Sequence, residues 1–173
     1  MASGAERDAE FTDFVRLRYN ALARLGMLLT GDRGTGEDLA QAALLRTYRA
    51  WGRISRPTAD AYVRTVMTNL AMRWGRRRWH GERPAETLPD LPAPDALARS
   101  DDAEVLRAVL RTLPPAQRAV LALRYFEDLS EADVAAALGC SIGTVKSRAS
   151  RALATLRQSG LLTDPSEREP SHD

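Results

Sequence analysis

This chain is short of the residues that build reactive centres. Its 173 residues include one cysteine, Cys140, and two isolated histidines, His80 and His172. A lone cysteine forms no internal disulfide, and scattered histidines form no zinc ligand set, so no metal site is expected. Aromatic residues make up only 6%, and strand signals are nearly absent, which points to an all-α fold. No apolar run approaches a membrane-spanning length, and the stretch Met1 to Arg7 has no apolar signal core. A cytoplasmic chain that engages no membrane is therefore expected. Lysine is almost missing too: Lys146 is the only one among 25 basic residues. Arginine is the better partner for bidentate contact with phosphate or guanine, although genomic base composition can produce the same bias.

Catalytic constellations are equally scarce. No Ser/His/Asp or Cys/His set is apparent, and the carboxylates do not fall at the spacing of a catalytic pair. Gly31, Gly34 and Gly36 precede a helix, but no strand leads in and the Walker lysine and hydroxyl are missing, so they read as an interhelical loop. Neither an enzyme nor a cofactor site is expected.

What is present is helical periodicity in two blocks. Phe11, Phe14, Val15, Leu22, Leu25 and Leu29 mark a helix over about 8–30. Leu39, Ala43 and Leu44 mark a second over about 37–51. Tyr62, Val63, Val66, Leu70 and Trp74 mark a third over about 59–78. These three can form a bundle, giving a first domain over 8–83. Pro84, Pro89, Pro92 and Pro94 then punctuate an acidic stretch, read as an extended linker over 84–102. A second domain over 103–158 opens with a helix to about 112. Pro114 and Pro115 break it, and Pro115 can open the next helix, to about 127. The tail over 159–173 is expected to be disordered.

The segment from Leu129 to Arg148 reads as a helix-turn-helix. Ser130 can cap a short helix, Asp133 stands three positions later as in a capping box, and Gly139 supplies a left-handed turn. On the following helix, from about 143 to 158, Val145, Ala149, Ala152 and Leu156 share one face. Thr144, Ser147, Arg148 and Arg151 share an arc opposite. Hydroxyls and cations there suit base edges and phosphates in a major groove. No Asp or Glu occurs between Asp133 and Asp164, whereas a merely solvated helix mixes charge signs. A second cationic constellation, Arg73-Trp74-Gly75-Arg76-Arg77-Arg78-Trp79-His80, combines guanidinium groups with aromatic rings. It suits an unpaired strand, held by its backbone and stacked through its bases. Trp74 also extends the apolar stripe of its helix, so a core role competes for that residue.

Three segments carry a resemblance to bacterial sigma factors of the extracytoplasmic-function (ECF) group, and to its actinobacterial SigE-type subgroup. Gly36 to Tyr48 resembles the helix that docks on the polymerase clamp. Ala61 to Ala71, continued by the arginine-tryptophan stretch, resembles the helix that contacts the −10 element. Gly143 to Leu153 resembles the −35 recognition helix. The resemblance implies a monomeric initiation subunit whose partners are core RNA polymerase and promoter DNA, with room for an anti-sigma factor. It assigns Glu37, Asp38 and Gln41 to polymerase, with Ala42 where the family commonly has Glu. It assigns Asn69, Arg73, Arg76, Arg77, Arg78 and Trp79 to the melted −10 strand, and Ser141, Thr144, Lys146, Ser147, Arg148 and Arg151 to the −35 duplex. Two other readings remain at this point: an autonomous helix-turn-helix regulator, and an enzyme acting on nucleic acid.

Overall fold

The computed structural model describes residues 3–79 and 101–160, without the side chains at positions 78, 79, 101 and 102. Most of the acidic stretch and the chain beyond Gly160 lie outside the described residues. The described part is helical: α1 Gly4–Thr30, α2 Arg33–Ala50, α3 Ala59–Trp79, α4 Asp101–Thr112, α5 Pro115–Leu121, α6 Glu131–Leu138 and α7 Ile142–Gln158.

Two helix starts lie a full turn earlier than the periodicity predicts, and α4 opens slightly early as well, at Asp101. α1 begins at Gly4 because Ser3 and Glu6 form a capping box, each side chain accepting the other's backbone N–H. α2 begins at Arg33, not near residue 37, because the Asp32 carboxylate accepts the Thr35 N–H at 2.7 Å. Gly34 and Gly36 are thus helical rather than loop. Gly36 is required by packing: a Cβ there would collide with the α1 backbone at Gly26 and Met27, and one at Gly26 would collide with Gly36. The two helices cross with their backbones touching.

That crossing organises the N-terminal unit. Leu22, Leu25, Leu29, Leu39, Ala43, Val63, Met67 and Leu70 are buried between α1, α2 and α3. At the far end Phe11, Phe14, Tyr48 and Trp51 form an aromatic cluster, with centroid separations of 5.1 Å from Phe11 to both Tyr48 and Trp51. Tyr62, expected on the apolar side of α3, is instead 37% exposed, while Thr68 and Ala71 are buried.

In the C-terminal unit, α5 opens with Pro115 at its first turn, as expected. Where the sequence predicts a plain helix to about residue 127, the last turn widens into a π-turn, Ala122–Phe126. Asp128 then takes a left-handed conformation (φ 53), which an aspartate tolerates better than most residues. A small core of Val120, Leu123, Val134, Ala135 and Val145 holds the helix-turn-helix together. The other apolar faces of this unit do not close on themselves. Leu110, Leu113, Ala119, Leu121, Ala122, Ala152 and Leu156 join the same buried cluster as the N-terminal leucines.

Candidate nucleic-acid interface

The helix-turn-helix forms as its residues dictate. The Ser130 hydroxyl accepts the Asp133 N–H at 3.1 Å and donates to the Asp133 carboxylate at 2.8 Å. Gly139 closes α6 in the left-handed region (φ 64). Ser141 caps α7 by accepting the Thr144 N–H at 3.1 Å. Val145, Ala152 and Leu156 are buried and Ala149 half-buried, so the predicted apolar stripe faces inward. Ser147 and Arg151 are exposed, while Thr144 and Arg148 flank them half-buried. The hydroxyls are not idle: Ser141 and Thr144 share a 2.9 Å hydrogen bond, and Ser147 donates to the Gly143 carbonyl at 3.1 Å. Lys146 sits on the other flank, 3.7 Å from the Glu131 carboxylate of α6. The structure thus places all six residues between the cap of α7 and the middle of that helix, with Lys146 apart from the others. Arg148 and Arg151 form the cationic part of that face, and Ser141 doubles as a cap.

The second constellation occupies the end of α3. Asn69, Arg73, Arg76 and Arg77 are exposed, and their spacing places them on one face. Arg78 and Trp79 end the helix, and their side chains lie outside the described residues. Trp74 is half-buried against the core, as the apolar stripe implies. Gly75, inside the arginine run, is buried. Arg64, one turn and more upstream, pairs with Glu127 of the C-terminal unit at 3.0 Å, both side chains about four-fifths buried.

On α2, Asp38 and Gln41 are exposed and share one side of the helix, whereas Glu37 pairs with Arg33 at 3.2 Å. Periodicity misses Leu45, one turn further along the same side and 52% exposed. A leucine inside an apolar helix reads as core until its neighbours are known. Beside it opens a groove of about 420 Å³ lined by Phe11, Val15, Tyr19, Gln41, Leu44, Leu45 and Tyr48. The Tyr48 hydroxyl on its rim donates to Asp8 at 2.8 Å, and that hydrogen bond, then the carboxylate charge, raises the tyrosine pKa. Among the described residues no cluster of His, Cys, Asp and Glu could hold a metal, and no helix is long and apolar enough to cross a membrane.

Comparison with known proteins agrees with this geometry. The family described as Sigma-70 region 2 matches residues 11–81, and Sigma-70, region 4 matches residues 103–156. RNA polymerase sigma-E factors of Streptomyces coelicolor and Streptomyces avermitilis are 46% and 45% identical over 150 residues. These matches span 86% of this chain and 85% and 84% of theirs. The ECF RNA polymerase sigma factor SigE of Mycolicibacterium smegmatis is 32% identical over 154 residues, spanning 84% of this chain and 59% of its own. A solved structure of the sigma factor RpoE in complex with the anti-sigma factor NepR, from Bartonella quintana, is similar in fold. It gives a TM-score of 0.68 at 25% identity, covering 90% of this chain and 99% of that one. With a helix-turn-helix at one end, an arginine-lined helix at the other and both sigma regions in order, the chain belongs to the ECF group of RNA polymerase sigma factors.

Proposed function

We propose that this sigma factor divides promoter recognition between its two units and leaves the chemistry of RNA synthesis to the polymerase. α7 enters the −35 duplex, with Arg148 and Arg151 making the base or phosphate contacts and Thr144, Ser147 and Lys146 flanking them. Ser141 sets the start of that helix. Asn69, Arg73, Arg76, Arg77, Arg78 and Trp79 hold the non-template strand of the melted −10 element. Core polymerase docks on α2 at Asp38 and Gln41, and the contact extends over Leu45 and the adjoining apolar groove. Glu37 contributes less directly, since Arg33 already engages it. The chain acts in the cytoplasm, where polymerase and promoter meet.

The observation that carries this reading is the pair of separate solvent-facing cationic faces, one on each unit. A single-site repressor needs only one of them. The test is reconstitution. Purified core polymerase plus this chain should give run-off transcripts from a cognate promoter and none from a scrambled one. Asp38→Arg should reduce co-elution with core while circular dichroism stays unchanged. Undiminished co-elution would place the docking face elsewhere, and tight specific duplex binding without core would favour an autonomous regulator.

A further inference from the structure

Gly143, the second residue of α7, has no reason inside the chain to be a glycine. It is exposed, its backbone is helical rather than left-handed, and a Cβ added there would meet only the Ser141 hydroxyl, at 3.9 Å. Elsewhere the cause is visible. Gly26, Gly36 and Gly75 have atoms 2.2–2.5 Å from the missing Cβ, and Gly31, Gly139 and Gly160 have a positive φ. A glycine costs a helix backbone entropy that an alanine does not. An exposed helical position with open space therefore favours alanine, unless something outside the chain takes the room.

The room lies on the face of α7 turned furthest from the protein. At about 100° per residue, Gly143, Ser147, Ser150 and Ala154 fall within about 60° of one another, almost opposite the buried Val145, Ala152 and Leu156. All four are exposed and all are small. Ser147 protrudes least of the serines can, its hydroxyl turned back onto the Gly143 carbonyl at 3.1 Å. Arg148 and Arg151 border this line on one side, Lys146 and Arg157 on the other. The arc centred on Thr144 that periodicity suggests lies off to one flank, with Thr144 and Arg148 half-buried. The outermost line of the recognition helix is thus its least bulky, and its cations stand at the edges. A helix with its side chains is about 10–12 Å across and the major groove about 12 Å wide. A line without bulk lets the backbone come close to base edges while the flanking cations meet phosphates.

We propose that Gly143 sets the depth at which α7 sits in the −35 groove, as the point of closest approach between its backbone and the base edges. The inference rests on the −35 reading of α7 given above. A methyl group at this position holds the helix off by about 1 Å, and a hydrogen bond to a base edge near 2.9 Å does not survive that displacement. Sequence reading suffers most, because base-edge contacts have fixed geometry, whereas long arginine side chains follow the phosphates outward.

The experiment compares Gly143→Ala with Gly4→Ala in the full-length chain bound to core polymerase. Gly4 also has nothing within 4 Å of an added Cβ, at the first residue of α1, and belongs to neither DNA face. Both variants should melt at or above the wild-type temperature and co-elute with core as the wild type does. Gly143→Ala should weaken binding to a cognate promoter about tenfold, the size of one lost base contact, and leave binding to the same promoter with a scrambled −35 element unchanged. Gly4→Ala should change neither. Gly143→Ser, which adds a hydroxyl with the same Cβ, should fail as alanine does, since the space and not the chemistry is what matters. Wild-type affinity of Gly143→Ala for the cognate promoter overturns the proposal. So does an equal loss on both promoters, or a loss accompanied by a lowered melting temperature, which would make the glycine structural. A wild-type chain that binds both promoters alike would instead overturn the −35 reading of α7 itself.

Discussion

The two DNA-facing helices are built on opposite plans. α7 carries a clean inward stripe and a polar arc, and its support is the five-residue core of its own helix-turn-helix, together with the shared cluster at its C-terminal half. α3 is buried on two sides, by α1 and α2 along Val63, Met67 and Leu70 and by α5 at Gly75. Its arginine face is the strip that remains. A helix that lies on a small core can read DNA as a local module. A helix wedged between two units presents a surface that depends on where the second unit sits.

The comparison breaks most severely if the small core fails. Leu123 is fully buried in that core, and Leu123→Ala should destabilise by about 2–5 kcal/mol. The expected result is loss of −35-dependent initiation with co-elution on core polymerase retained through α2. Loss of both would show that the N-terminal unit leans on its partner more heavily than the partner leans on it.

A smaller effect separates the two faces by mode of recognition. Arg148→Ala should cost about 1–3 kcal/mol and relax sequence preference at one position of the −35 element. Arg76→Ala with Arg77→Ala should weaken binding across all sequences and flatten the dependence on salt by about two phosphate contacts. Promoter binding titrated at several salt concentrations distinguishes the two. Equal loss on specific and scrambled duplex for Arg148→Ala would move that residue from base reading to backbone contact.

The smallest effect asks what Ser141 is for. Its side chain caps α7, so Ser141→Ala should cost about 1 kcal/mol of stability and Ser141→Gly only a few tenths. Thermal melts of both variants, set beside −35 binding, decide the matter. If both weaken DNA binding alike while only the alanine lowers the melting temperature, the hydroxyl also touches DNA.

Much of this was legible in the chain itself, and the reasons are local. Ser130, Gly139 and the Val145–Leu156 stripe announce the helix-turn-helix because caps and periodicity act over one or two turns. The all-α class follows from the same signals, while the sigma assignment came from the resemblance of three helical segments to that family. Gly34 and Gly36 misled because a glycine needed for a close helix crossing looks the same in sequence as one that breaks a helix. Gly75 misled similarly: inside an arginine-tryptophan run it reads as part of a nucleic-acid arm, while its space is taken by Pro115. Contacts between residues 40 and more positions apart, such as Gly75 with Pro115 or Arg118 with Leu29, leave no periodic trace. Leu45 and the groove beside it stayed hidden because exposure depends on which helices fail to cover a residue.

The pairing of Lys146 with Glu131 has a practical consequence for chemistry in solution. Apart from the α-amino group, this side chain is the sole primary amine in the molecule. An acylating reagent therefore finds one side-chain target, on the helix assigned to the −35 duplex. Acylation removes the positive charge and its tie to α6. The yield of that reaction, compared with and without promoter, is a footprint of one helix read from a single modified residue by intact mass, with no mutation introduced.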